Sequence, residues 1–122
     1  NPYVLNYLAY SWLERNYKIE LSMEMLKEAY DLRKNDPYIT DSLGWGYYLI
    51  NDFENAEKYL KKAVELMPYD PIVNDHYGDI LWMLNRKIQA RYFWNNVLNL
   101  DETDDEMKID VKKKIIYGIE KT

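Results

Sequence analysis

Cysteine is missing from all 122 residues, and histidine occurs once, at position 76. The first absence excludes a disulfide framework, a zinc ribbon, an iron–sulfur site and a cysteine nucleophile. It is silent on compartment, because a cysteine-free chain folds in oxidising and reducing surroundings alike. Positive charge is also short: 16 Lys and Arg against 21 Asp and Glu leave a net charge of −5. That argues against nucleic acid or an anionic membrane as partner, since both need a basic surface. Long apolar runs are absent too. Polar residues interrupt every one far short of the roughly 18 needed to span a bilayer, so no direct membrane insertion is expected. No basic, apolar, small-residue leader opens the chain. It begins at Asn1, in mid-pattern, and is expected to be a piece of a longer protein.

What is present suits one domain. With 48% hydrophobic and 30% charged residues, a chain of this length hides roughly two thirds of the surface its unfolded form exposes. Lysines outnumber arginines twelve to four, and Asn, Ile and Tyr are abundant, a bias that fits AT-rich coding DNA and a bacterial source. Compartment stays open between cytoplasm and periplasm or envelope.

Self-comparison finds a period of 34 residues. Asp36, Pro37, Asp41, Gly44, Asn51, Ala56 and Leu66 fall on the identical Asp70, Pro71, Asp75, Gly78, Asn85, Ala90 and Leu100. Pro2, Tyr3, Leu8 and Asn16 precede Pro37, Tyr38, Leu43 and Asn51 by 35, after which the offset drops to 34. One extra residue therefore sits near Tyr17 to Glu20. Asp36-Pro37 and Asp70-Pro71 are N-cap and first-turn signals, and apolar residues at three- and four-residue steps (Ile39, Leu43, Tyr47, Ile50) mark a buried face. Helices are predicted over 3–15, 20–33, 37–50, 53–66, 71–84 and 87–99. The acidic run DETDDE at 101–106, the stripe Met107, Val111, Ile115, Ile119 and the lysines 112 to 114 predict a seventh, capping helix over about 104–120. The single domain thus divides into units 2–36, 37–70 and 71–104 plus the cap.

The period, with Leu43-Gly44, Tyr47, Phe53, Ala56, Leu60, Ala63 and Pro68 in place, resembles a tetratricopeptide repeat (TPR). The third unit keeps Gly78, Leu81, Ala90 and Trp94 but carries Tyr77, Val97 and Glu102 where Leu, Ala and Pro are usual. The first is looser, with Ala9, Ser22 and Lys34 for Gly, Ala and Pro. The resemblance implies an all-α, right-handed superhelix of three helical hairpins and a capping helix. The strings NYLAYSW, DSLGWGYYL and NDHYGDILW further resemble C-terminal repeats of proteobacterial multi-TPR proteins, some of them envelope lipoproteins.

In this family the first helix of each pair lines a concave groove. The resemblance places there Tyr3, Asn6, Tyr7, Tyr10 and Leu13; then Tyr38, Asp41, Ser42, Trp45, Tyr48 and Leu49; then Ile72, Asp75, His76, Asp79, Trp82 and Met83. Seven aromatics and three aspartates with no lysine or arginine make an aromatic, acidic surface. The positions of the carboxylate clamp used by some members hold Asn6, Tyr10, Ser42, Ile72 and His76, which supply no cation for an acidic tail. The implied function is a protein-interaction scaffold that grips a peptide or helix bearing basic and apolar residues. Tyr10, Asp41, Trp45, Tyr48, Asp75, His76, Asp79 and Trp82 are its candidate groove residues. The competing reading is structural: the end of a longer superhelix, or a self-association module whose aromatics pack on neighbouring repeats.

Chemistry has little support. His76 with Asp75 and Asp79 lacks a second histidine, a cysteine or a serine nucleophile, so no enzyme activity is expected. Gly44-Trp45-Gly46 lacks the third glycine and preceding strand of a nucleotide loop, and DETDDE lacks the central glycine of a calcium loop. No cofactor or metal is expected.

Overall fold

A computed structural model describes residues 1–120. Among these described residues seven α-helices follow one another: α1 (Pro2–Glu14), α2 (Ile19–Leu32), α3 (Pro37–Leu49), α4 (Phe53–Leu66), α5 (Pro71–Met83), α6 (Lys87–Asn99) and α7 (Asp105–Tyr117). None is long and apolar enough to cross a membrane. They pair as hairpins α1–α2, α3–α4 and α5–α6. Each second helix packs on the next first helix, and α1, α3 and α5 touch side by side.

The punctuation is local chemistry. Asn1, Asp36, Asp70 and Asp104 each accept a hydrogen bond from a first-turn backbone N–H, at Tyr3 (2.9 Å), Tyr38 (2.9 Å), Val73 (2.9 Å) and Met107 (2.8 Å). Each answers an orphan donor of its helix. The spacing of these caps carries the repeat period through α7. Asn16, Asn51 and Asn85 stop the first helices in the left-handed region, with φ of 55°, 66° and 63°, a conformation asparagine tolerates better than most side chains. The extra residue of the first turn is accommodated by Lys18, itself at φ 46°.

Close approach within hairpins depends on two glycines. A Cβ at Gly44 would stand 2.7 Å from Leu60 Cγ, and one at Gly78 would stand 2.4 Å from Trp94 Cδ1. The helices therefore meet there almost backbone to side chain. Trp94, fully buried, fills the space Gly78 leaves inside its own hairpin. Around these contacts Ala56, Leu60, Ala63, Val73, Ile80, Leu81, Ala90, Val97 and Val111 form the larger core, and Ala9, Leu13, Met23, Leu26 and Leu43 a smaller one. Buried polar groups are tied to loops: Thr40 Oγ1 donates to the Asp36 carbonyl (2.7 Å), and Asn74 Nδ2 to those of Pro68 (2.9 Å) and Asp70 (2.8 Å).

One helix end departs from the expected span. α7 stops at Tyr117 rather than near 120, because Gly118, at φ 73°, turns the chain back. Ile119 stays packed on the core, but from the turn and not from the helix.

Candidate functional site

The side-by-side first helices carry the candidate groove residues, and the fold joins most of them into two groups. Asp41 on α3 faces His76 on α5, with Nδ1 lying 2.9 Å from Oδ2 and 3.0 Å from Oδ1. Trp45, one turn after Asp41, stacks on the His76 ring with centroids 3.9 Å apart and planes 12° from parallel. Tyr48 stacks on Trp45 at 4.4 Å and 11°. Three rings are thus held in register by a buried ion pair between adjacent repeats. Asp41, Tyr48 and His76 are buried, while Trp45 keeps part of its surface in solvent.

A second ion-pair group lies one repeat further on. Lys114 of α7 reaches back to α5, where its Nζ donates to Asp75 Oδ1 and, at 2.8 Å, to Asp79 Oδ1. Asp79 also accepts from Trp94 Nε1 at 3.0 Å. The expectation of a groove with no lysine or arginine left this cation out. It considered only the first helices of the three repeats, and α7 delivers the missing positive charge. Lys112 and Lys113 remain on the exposed face. A signal for Lys114 did exist: carrying the 34-residue register past Asp104 sets it level with Gly46 and Ile80, both buried.

Protonation follows from these neighbours. Burial alone pulls the His76 pKa down, but the charge and hydrogen bond of Asp41, with Asp79 and Asp75 behind, outweigh it and raise the pKa above the usual value. Asp79 is pushed up to about 6, first by burial and then by Asp75, against the lowering pull of Lys114 and His76. Burial would lower the Lys114 pKa, yet the two aspartates hold it above the ordinary lysine value. The phenols of Tyr10 and Tyr48 are raised mainly by burial, with carboxylates nearby adding to it.

The remaining residues divide by exposure. Trp82 is covered at the C-terminal end: its Nε1 donates to the Ile119 carbonyl at 3.1 Å, and Gly118 lies so close that a Cβ there would meet the ring at 2.0 Å. Leu13 and Ser42 are buried, and Tyr10 half-buried. Tyr3, Tyr7, Tyr38 and Ile72 are exposed. The Tyr3 hydroxyl donates to the Asp36 carboxylate at 2.7 Å. Asn6 Oδ1 is buried with no hydrogen-bond partner among the described residues. Among the described residues no group of three or more His, Cys, Asp or Glu is placed to hold a metal ion. A cavity of about 610 Å³ opens at the inter-repeat loops, against Tyr38, Leu66, Tyr69, Asp70, Leu100 and Glu102, and none of the stacked rings lines it.

No family model matches the chain. A curated TPR repeat-containing protein of Pseudomonas aeruginosa is 35% identical over 60 residues, which are 49% of this chain and 10% of that protein. The hairpin arrangement matches solved TPR structures over nearly the whole chain. The first TPR of Spaghetti (RPAP3), bound to the HSP90 peptide SRMEEVD, superposes with a TM-score of 0.77 at 18% identity, over 92% of this chain and 88% of that one. The chain has the tetratricopeptide-repeat fold. The type III secretion translocator chaperone SycD of Yersinia enterocolitica matches this chain at a TM-score of 0.80 and 15% identity, over 94% and 89% of the two chains. SycD in complex with a peptide of the translocator YopD matches at 0.78 and 16%, over 92% and 87%. At these identities the structural likeness concerns the TPR fold alone.

Proposed function

We propose that this TPR domain is a protein-interaction scaffold whose concave face binds a peptide or helix carrying basic and apolar side chains. The observation that carries the reading is the stack of Tyr48, Trp45 and His76, fixed from below by Asp41. A ring held in one rotamer loses little entropy when a partner covers it, which is how aromatic anchors become binding hot spots. Exposed Tyr38 and Ile72 extend the apolar surface. Two TPR neighbours carry peptides in their solved complexes, an HSP90 peptide and a YopD peptide. That supports peptide binding in general and leaves the ligand sequence to be found.

The basic preference rests on the net charge of −5 and on carboxylates beside the aromatics, such as Asp36 against Tyr3. Asp75 and Asp79 contribute less to it, because they already share the charge of Lys114. Catalysis has no support in the surroundings of His76, whose Nδ1 is held by Asp41 and whose ring lies buried against Trp45.

The test is an array of 12-residue peptides varied independently in Lys/Arg and apolar content, read by fluorescence anisotropy against the intact domain. Peptides with both features should bind, and Trp45→Ala should weaken them by about tenfold or more, the scale of a hot-spot residue. Tyr38→Ser, at an exposed position, should weaken binding while leaving the melting curve unchanged. Binding indifferent to both substitutions would remove this face from consideration.

A further inference from the structure

The outer face of α1 is bare at the very positions where its counterparts are covered. Shifting by the repeat period sets Val4 level with Ile39 and Val73, Leu8 with Leu43 and Tyr77, and Tyr7 with Ser42 and His76. The six counterparts in α3 and α5 are all 8% exposed or less, whereas Val4 is 63%, Leu8 37% and Tyr7 77% exposed. What covers the counterparts is clear from the packing. Leu43 lies in one cluster with Met23 and Leu26 of α2, and Val73 and Tyr77 in another with Leu60, Ala63 and Val64 of α4. His76 is covered by Asp41 and Trp45 of α3. The preceding hairpin's second helix thus clusters with Leu43, Val73 and Tyr77, and its first helix covers His76. α1 has the same residue classes at Val4 and Leu8 and neither neighbour.

We propose that the face of α1 formed by Val4, Tyr7 and Leu8 is an inter-repeat interface. Its occupant is a further helical hairpin of the same repeat type, supplied by the same polypeptide upstream of Asn1. The second helix of that hairpin presents a stripe of small and branched apolar residues, as Leu60, Ala63 and Val64 do toward α5. Its first helix lies over Tyr7. A second copy of the domain fits less well, because neither end of the array would find the hairpin geometry that covers these positions in α3 and α5. Val4 and Leu8 lie outside the groove residues and Tyr7 borders them, so the inference rests on Val4 and Leu8 and stands or falls without the peptide reading.

The experiment extends the protein by its own upstream coding sequence, about 34 to 40 residues, the length of one repeat. Hydrogen exchange is then compared over residues 4–12 in the extended and the 122-residue chains. We expect exchange about tenfold slower or more in the extended chain. A Val4→Asp, Leu8→Asp double variant should lower the melting temperature of the extended chain and leave that of the 122-residue chain nearly unchanged. Tyr7→Ser, which installs the residue found at position 42, is the milder variant and should restore fast exchange only in part. The proposal is overturned by an upstream sequence without the hairpin pattern, or by equal exchange in the two chains. It is also overturned if the 122-residue chain dimerises in sedimentation and the double variant abolishes the dimer, since the occupant would then be a second copy.

Discussion

Replacing Lys114 by methionine should expose the energetics of the ion-pair group at the C-terminal end. Methionine preserves most of the apolar stem and removes the charge that Asp75 and Asp79 share. The side chains of Lys114, Asp75 and Asp79 are 20%, 16% and 8% exposed, so the group lies between surface and interior. Removing one partner of a fully buried pair costs about 3–5 kcal/mol. Partial exposure of Lys114, and the Trp94 Nε1 hydrogen bond that Asp79 keeps, reduce this to about 2–3 kcal/mol at pH 7.5. The loss depends on pH with a definite sign. Asp79 already holds its proton up to about pH 6, and without Lys114 it holds it higher still. Lowering the pH to 5 therefore lets the orphaned carboxyl neutralise itself, and about 1 kcal/mol or more of the loss should return, one pKa unit being worth about 1.4 kcal/mol. Urea unfolding followed by circular dichroism at pH 5.0 and 7.5 reads both values. A second substitution, Asp79→Asn, should recover part of the loss at pH 7.5, because the amide oxygen still accepts from Trp94. An equal loss at both pH values, or one below about 0.5 kcal/mol at pH 7.5, would refute the claim that Lys114 compensates a desolvated carboxylate.

Three other outcomes are expected. His76 has a raised pKa in the folded chain, so the stability it contributes is complete below the unfolded value near 6.5 and disappears as pH rises through the folded value. The melting temperature should fall over that interval, and His76→Gln should flatten the fall while costing about 1–3 kcal/mol near pH 6. Gly78→Ala gains about 1 kcal/mol of helix propensity, but the new methyl overlaps a fully buried Trp94. Overpacking and strain on its bond to Asp79 should leave a net loss of about 2–4 kcal/mol in chemical denaturation. Trp94→Leu in the same chain should recover some of it. Asn85→Ala should cost about 1 kcal/mol and Asn85→Gly close to nothing, since the backbone there is left-handed; thermal melts of the pair separate the two.

The sequence by itself determined the elements, their order and the period. N-cap aspartates before proline, asparagines at the left-handed stops, and glycine or alanine at the hairpin contact act over a few residues or within one repeat. A linear reading can therefore find them. It also placed Asp41, Trp45, Tyr48, Asp75, His76, Asp79 and Trp82 on neighbouring first helices, because the period fixes which residues share a face. The partners of those residues were decided only in the tertiary structure. Asp41 and His76 are 35 residues apart, and Asp75 and Lys114 are 39. Whether such charges meet depends on how one hairpin is rotated against the next. Lys114 reads as one of three solvated lysines until α7 packs on α6, and Trp82 reads as an open anchor until Gly118 reverses the chain across it. Local chemistry sets where helices begin and end, whereas burial, and with it protonation and accessibility, is a property of surfaces brought together from distant parts of the chain.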